Sequence, residues 1–189
     1  REFVWGVYFS KDGRQWVAQA FDPRAQGGPA FTNSYHINMV KVDQDGIYLS
    51  GLNTQALLAL SADLTVTEFC NLPKGCHNAQ TFGDGVLFND TGADVVRYVS
   101  PSKTGCAVPV PGFDPETLEH RGVDDSRIAR QGFGRGLCVV SDHLIAAGSS
   151  PSTVAIIDIN AGKRLTAVNL TLDIRNAIHG LECWPRRWG

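Results

Sequence analysis

The chain has little charge, and neither sign dominates. Charged side chains make up 19% of its 189 residues, and 17 basic against 19 acidic groups leave a formal net charge of −2. A broad contact with nucleic acid or with an anionic membrane surface needs an excess of Lys and Arg. We therefore expect neither a nucleic acid nor a membrane as a partner. The hydrophobic content of 43% predicts a packed core rather than disorder.

Long apolar runs and targeting patterns are also lacking. No apolar stretch approaches the roughly 18 residues that a membrane-spanning helix needs, and no signal-peptide pattern opens the chain. The first residue is Arg1 rather than Met, which favours a fragment of a longer protein or a processed form. The sequence leaves the compartment open and slightly favours the cytoplasm.

Cysteine is present, but not in a pattern that predicts a scaffold. Five cysteines are an odd number for a disulfide framework in a chain of this length. No CxxC pair occurs, so a structural zinc site of the usual kind is not expected. Cys70 and Cys76 flank a short loop and either pair or remain free. Cys138 and Cys183 lie in apolar contexts that predict buried thiols in strands.

Common catalytic motifs and helical patterns are missing as well, but the chain contains a repeat. The chain contains no Ser-His-Asp elbow, P-loop or dinucleotide fingerprint. Four similar segments begin at His36, His77, Arg135 and His179, with offsets of 41, 58 and 44 residues. Each opens with a side chain that can be a cation, followed by a short apolar strand and a polar turn. A period in the low forties built from short strands is typical of β-propeller blades.

The repeat predicts an all-β fold, a β-propeller or the C-terminal part of one. We expect about three complete four-stranded blades, partial blades at both ends, and a single domain over residues 1–189. An N-terminal hairpin is predicted at 3–10 and 15–21. The predicted strands of the three blades are 37–42, 47–49, 56–60 and 64–69; then one that opens at His77, 86–88, 95–99 and 106–110; then 135–140, 144–147, 154–159 and 164–170.

The repeat also predicts a candidate site at one mouth of the central channel. Equal positions in successive blades face the same place, so the four segment-opening residues are expected to form a ring. The loops between second and third strands lie on the same face and add Asn53, Asn89 and Asp90. An inter-blade insertion at 111–132 is expected on this channel face, where long loops commonly act as lids or binding loops.

Three uses of such a ring stay open at this point. Arg135 with protonated histidines suits a carboxylate, a phosphate or another small polar or anionic ligand, including a carbohydrate. Three neutral imidazoles, those of His36, His77 and His179, suit a divalent metal as a possible cofactor. Alternatively, a histidine at a strand entry serves the fold by bonding to the backbone of the neighbouring blade.

The laid-out units resemble a family of uncharacterised bacterial propeller proteins, the DUF4915 type. The resemblance depends on three stretches: His36-Ile37-Asn38 with the Asp45-Gly46 turn; His77 with Gly83-Asp84-Gly85 and Asn89-Asp90-Thr91-Gly92; and Gly132 to Leu137 followed by an apolar strand and 154–162. It covers roughly residues 35–185 and implies a propeller fold. It implies almost nothing about activity, because a fold by itself does not define a function.

The function predicted from these residues is a propeller binding module that grips a small polar, anionic or carbohydrate ligand at the channel mouth. One alternative is a metal-assisted lyase or lactonase-type enzyme with a His-lined centre. Another is a protein-interaction scaffold that forms homo-oligomers through exposed blade edges. Whether the protein is an enzyme stays open.

Overall fold

The structure, a computed structural model, describes residues 4–9, 16–21, 36–102, 105–120 and 130–184, with side chains from residue 36 onward. A two-stranded antiparallel hairpin precedes three four-stranded antiparallel sheets. The hairpin is β1 (Val4–Phe9) and β2 (Trp16–Phe21). Blade 1 is β3 (Ile37–Asp43), β4 (Gly46–Gly51), β5 (Ala56–Leu60) and β6 (Val66–Asn71); blade 2 is β7 (Cys76–Phe82), β8 (Gly85–Asp90), β9 (Val95–Val99) and β10 (Cys106–Pro109); blade 3 is β11 (Gly134–Val139), β12 (Leu144–Ser149), β13 (Thr153–Asp158) and β14 (Lys163–Asn169).

Each sheet is a simple meander in which consecutive strands pair, as in the blade of a β-propeller. Short polar turns connect the strands. Gly83 and Gly162 occupy two of these turns with φ of 55° and 62°, a backbone region that glycine enters without steric cost. The all-β propeller fold predicted from the repeat is therefore confirmed. Among the described residues, the only helical element is a 3₁₀ turn at Pro115–Thr117, and no helix is long and apolar enough to cross a membrane.

Blade 2 is apolar on both faces because it packs between two other blades. Strand β8 shows the alternation: Phe88 faces blade 1 in a cluster with Tyr48 and Leu57, whereas Leu87 faces blade 3 in a cluster with Ile145. Leu57, Leu87 and Ile145 are completely buried. Each such side chain contributes about 1.5–3 kcal/mol by leaving water, so these two interfaces hold the three blades in sequence.

Polar side chains of the second strands join each blade to the inner strand of the next. The Ser50 hydroxyl in β4 accepts from Ala79 N at 3.0 Å and lies 3.3 Å from Ala79 O. Asn89 in β8 donates through Nδ2 to the carbonyls of Arg135 and Gly136 at 3.1 and 3.3 Å. These contacts meet the inner strands where β7 and β11 each have a register shift. We call these two contacts the blade latches.

The inner strands surround a central cavity of about 1070 Å³. Strand β3 contacts β7, and β7 contacts β11. Residues from β3, β7, β11 and the stretch around His179 line the cavity. Its wall is polar at Lys41, which donates to Thr81 O at 2.6 Å and Thr81 Oγ1 at 2.9 Å. Of the four residues that open the repeats, His179 is part of this lining.

Several predictions from the sequence are confirmed and others are wrong. The predicted bounds of β5 and β9 are confirmed exactly, and the N-terminal hairpin is present. The prediction of a loop from residue 89 is wrong, because β8 continues through Asp90. A partial fourth blade was expected from His179, but the described residues 176–184 contain no strand. A loop is predicted from Phe21 to Asn33; Phe21 is the last residue of β2, and the rest lies outside the described residues.

Of the predictions for the cysteines, some are confirmed and one is wrong. Cys70 and Cys76 are free thiols, so the alternative of a bond between them is not realised in this structure. Cys138 is a buried thiol on β11, as predicted. The prediction for Cys183 is wrong, because this residue is exposed and lies outside any strand. Because residues 176–184 form no strand, the apolar context of Cys183 in the sequence does not translate into burial among the described residues.

Candidate functional site

The four residues that open the repeats meet in space, and we call them the cation cluster. The rings of His36 and His77 lie edge to face with centroids 6.5 Å apart. Nη1 of Arg135 lies 3.5 Å from Nε2 of His179. Positive charge on Arg135, His36 or His179 lowers the pKa of His77. The structure therefore brings the four predicted residues near one another, while their use is a separate question.

His36, His77 and Arg135 reach the cluster from the inner strands. His77 and Arg135 lie within β7 and β11, and His36 immediately precedes β3 with φ of 46°. A positive φ is uncommon for a residue with a side chain. Here it accompanies a hydrogen bond from Leu52 N to His36 O at 3.0 Å, which ties the entry of blade 1 to its β4–β5 loop.

His179 reaches the cluster by a different route. It lies in residues 176–184, which we call the C-terminal segment. Gly136 N donates to Ile178 O at 2.8 Å, and Asn78 Nδ2 donates to His179 O at 3.3 Å. Ile178 lies directly on Gly148: a Cβ at that glycine would come within 2.5 Å of Ile178 Cγ2. Two glycines of blade 3 thus leave room for the backbone that carries His179.

His77 is the most buried member of the cluster, with 7% of its surface exposed. Its Nδ1 lies 3.0 Å from Thr91 Oγ1, and Thr91 Oγ1 donates to Gly134 O at 3.0 Å. Because the hydroxyl has one proton and spends it on Gly134, it accepts from the ring. In this arrangement the ring proton that faces Thr91 lies on Nδ1.

Burial and neighbouring positive charge both oppose protonation of His77. Burial is the largest cause, followed by Arg135 and His36, and together they lower the pKa of His77 to about 4 against the opposing effect of a backbone hydrogen bond with Gly75. Burial and then Arg135 also lower the pKa of His179. Both histidines are thus held neutral near pH 7 by an environment that is already positive.

Arg135 is half-buried, and burial lowers its pKa. Its guanidinium carbon lies 5.1 Å from the ring centroid of Phe133, and that of Arg130 lies 4.1 Å from the same centroid. Arg130 also pairs with Asp94 at 2.5 Å and donates to Thr91 O at 2.8 Å. Both arginines therefore contact the ring of Phe133.

Asn89 and Asp90 do not lie together in the predicted site, because each contacts different residues. Asn89 is completely buried, and its amide forms the latch to blade 3. Asp90 points to the opposite face of β8 and pairs with Arg97, whose Nη2 is 3.2 Å from Oδ2. Alternation along β8 sends consecutive side chains to opposite faces, so the two cannot share one site. Asn53 is half-buried in the loop between β4 and β5.

The three histidines do not form a ready set of metal ligands. Among the described residues, the group whose potential ligand atoms all lie within 4.8 Å of one another is Glu119, His120 and Asp173. Arg175 occupies that place: its Nη2 is 2.7 Å from Asp173 Oδ2 and 2.8 Å from His120 Nε2. Its hydrogen bonds are the main cause that lowers the pKa of Asp173 to about 2. The Asp173–Arg175 pair thus already neutralises this carboxylate.

Residues of the insertion 111–132 lie next to the loops on the rim near His77. Its described parts are residues 111–120 and 130–132. Gly132 N donates to Ser150 O at 2.9 Å, and Glu119 N donates to Leu172 O at 3.0 Å. Together with the contact between Arg130 and Thr91, these bonds attach the insertion to the β8–β9 loop, the β12–β13 loop and the stretch after β14.

Thr91, Phe133 and Asn78 shape the cluster, and the sequence did not single them out for this. Thr91 orients His77, Phe133 contacts Arg135, and Asn78 holds the carbonyl of His179. Thr91 belongs to a turn-like stretch, where a hydroxyl is common for local reasons. Its role depends on a bond to Gly134, 43 residues away, which no local pattern reveals.

No protein-family model matches the chain, and no curated protein matches it either. Solved structures with a similar fold include a catalytically inactive virginiamycin B lyase from Staphylococcus aureus with quinupristin. Its TM-score is 0.41 at 9% identity, over 82% of this chain and 55% of that one. Another is a streptogramin B lyase, with a TM-score of 0.37 at 14% identity, over 93% of this chain and 65% of that one. The chain thus spans less than two thirds of either structure, and similarity at this level carries nothing about activity.

Proposed function

We propose that the protein is a binding module that holds a small anion, a carboxylate or a phosphate, at the cation cluster. The observation that carries the proposal is the convergence of His36, His77, Arg135 and His179 in the cation cluster. An anion placed among these groups would receive charge-assisted hydrogen bonds from a guanidinium and from imidazolium N–H groups. A sugar acid combines such a carboxylate with the polar hydroxyls that a carbohydrate ligand offers. Membership in the DUF4915-type family remains a separate prediction.

The electrostatics of His77 support an anionic rather than a cationic ligand. The three charge interactions that act on its pKa come from Arg135, His36 and His179, and all three lower it. A bound anion would offset this repulsion and favour protonated imidazoles. A divalent cation would add to it.

The position of Arg135 also disfavours the metal-assisted lyase or lactonase. A metal held by His36, His77 and His179 needs the lone pair of a ring nitrogen from each. Nε2 of His179 faces Nη1 of Arg135 at 3.5 Å, and since a guanidinium only donates, this nitrogen accepts. A metal at that nitrogen would lie beside a fixed positive charge.

The test is a thermal-shift and calorimetric titration with inorganic phosphate and with a small dicarboxylate. We expect saturable stabilisation, about 2.7 kcal/mol when the anion is at about 100 times its Kd. Binding should be tighter at about pH 6 than at about pH 8, because an anion raises the histidine pKa values and takes up protons. Arg135→Gln should weaken binding at least about tenfold, equivalent to about 1.4 kcal/mol.

Arg164→Gln is the matched control, because Arg164 is exposed on β14 of blade 3. It should bind the anions like the unmodified chain. Equal loss in both variants, or no saturable binding in the unmodified chain, would overturn the proposal. Stabilisation by zinc or manganese that Arg135→Gln strengthens would instead support the metal-assisted enzyme. If neither an anion nor a metal stabilises the protein and the protein self-associates, the result would support the interaction scaffold.

A further inference from the structure

Two thiols lie together where the C-terminal segment meets blade 3. Cys138 is buried on β11, and Cys183 is exposed on the segment. Cys183 is near enough to Cys138 to act on the pKa of that thiol, and Cys138 Sγ lies 3.5 Å from Val139 O. Residues from both sides of this contact, 137–139 and 179–182, line the same wall of the central cavity.

The backbone around the thiols is already held in place. Ile178 O accepts from Gly136 N at 2.8 Å, and a Cβ on Gly136 would lie 3.3 Å from Leu181 Cγ. The segment thus stays beside β11 from Ile178 through Leu181, up to the cysteine two residues later. The backbone on both sides of the thiols is therefore already side by side, and backbone separation is the usual obstacle to disulfide formation.

We propose that Cys138 and Cys183 form a disulfide on oxidation, and that this bond fixes the C-terminal segment, with His179, on blade 3. A low-molecular-weight disulfide of the glutathione class is the oxidant. The bond is a covalent modification site of this chain and does not depend on anion binding. Its consequence for His179 rests on the proposed function.

The exchange proceeds in two balanced steps. The exposed Cys183 thiolate attacks one sulfur of the small disulfide, whose S–S bond breaks, and one small thiolate leaves and takes up a proton. The Cys138 thiolate then attacks the sulfur of Cys183, and the second small thiol leaves. Two protein thiols are oxidised, and one small disulfide is reduced to two thiols.

The surroundings of Cys138 determine the order of these steps. Burial, and then the hydrogen bond with Cys183, raise the pKa of Cys138 to about 11. A thiol that is rarely ionised is a slow nucleophile near neutral pH. Cys183 therefore reacts first, and the closing step should become faster as the pH rises.

The other cysteines offer natural controls within the chain. Cys70 and Cys76 lie near enough for the charge of Cys70 to act on the pKa of Cys76, but no hydrogen bond between them contributes. Burial, as the main cause, raises the pKa of Cys76 to about 12. Selective oxidation should thus favour the pair of Cys138 and Cys183 over this one.

The experiment oxidises the folded chain with glutathione disulfide and maps tryptic peptides without reduction. We expect peptide 136–163 joined to peptide 176–186, lighter by two hydrogens than the separate peptides. Cys183→Ser and Cys138→Ser should abolish the joined species, and Cys70→Ser should retain it. Oxidation should also slow hydrogen exchange in residues 176–184 of the unmodified chain.

Glutathione attached to Cys183 without the joined peptides would overturn the proposed site, as would the same mixture of pairings in the folded and urea-unfolded chain. If the bond forms but exchange in 176–184 does not slow, the anchoring role is wrong. Phosphate affinity is measured last. If the disulfide has formed and hydrogen exchange in the segment has slowed, an unchanged phosphate affinity would overturn the link to the anion site. It would not contradict the disulfide itself.

Discussion

The contact between blades 2 and 3 differs from the contact between blade 3 and the C-terminal segment. Between the blades, an apolar cluster and the Asn89 latch act together, and Thr91 links His77 to Gly134. At the segment, glycines replace the latch: Ile178 lies on Gly148, the position on β12 that corresponds to Asn89 on β8. One contact depends on buried side chains, and the other on backbone bonds and the absence of side chains.

The difference shows how the cation cluster is assembled. His77 and Arg135 are fixed by two packed blades, whereas His179 comes with a mostly exposed stretch that is held mainly by backbone hydrogen bonds. Regions with few buried contacts open at lower free energy than packed sheets. We infer that the blades hold His77 and Arg135 in place permanently. The position of the C-terminal segment then determines whether His179 completes the site.

The largest expected effect concerns pH and the contact between blades 2 and 3. The folded pKa of His77, about 4, lies below its unfolded value of 6.5. The unfolded chain therefore takes up a proton first, and stability falls as the pH drops from about 6.5 to 4, by about 3 kcal/mol from this residue. Urea unfolding across this range measures it. His77→Gln keeps a donor for Thr91 and should flatten the profile; an identical profile in the variant would contradict the assignment.

The next effect tests the Asn89 latch. Asn89→Ala removes the donor to the carbonyls of Arg135 and Gly136 inside a completely buried site. We expect a loss of about 2–3 kcal/mol in the free energy of unfolding, because two buried acceptors lose their partner. Asn160→Ala, in the exposed turn before β14, is the matched control and should change stability by less than about 0.5 kcal/mol. Equal losses would mean that the latch contributes nothing of its own.

The smallest effect on stability, but a clear one on binding, is expected at the segment. Gly148→Ala places a Cβ within 2.5 Å of Ile178 Cγ2 and 2.9 Å of Ile178 O. The segment must shift and take His179 with it, so phosphate affinity should fall about tenfold, or 1.4 kcal/mol, with a smaller change in the melting temperature. Gly180→Ala meets nothing within 4 Å and should bind normally. An unchanged affinity in Gly148→Ala would show that His179 does not contribute to the site.

The repeat in the sequence made the cation cluster predictable. Predictions from the sequence were wrong where contacts with neighbouring strands determine the structure. His36, His77 and Arg135 were predictable because they open strands that a period of blade length places around one axis. Asn89 and Asp90 were not, because the boundary between strand and loop at β8 depends on pairing with β9. A polar pair at a strand end looks like a turn in the sequence, and only its hydrogen bonds show that it is buried.

The sequence by itself determined the all-β class, the order of the blades and the residues that open them, since alternating apolar residues and Asp-Gly turns are local properties repeated at a fixed period. Tertiary structure alone decided that Thr91 orients His77, that Asn89 serves the neighbouring blade, and that His179 arrives without a strand. These features depend on contacts between residues 14, 46 and 101 positions apart. Such contacts follow from the packing of whole blades, and no local pattern encodes them.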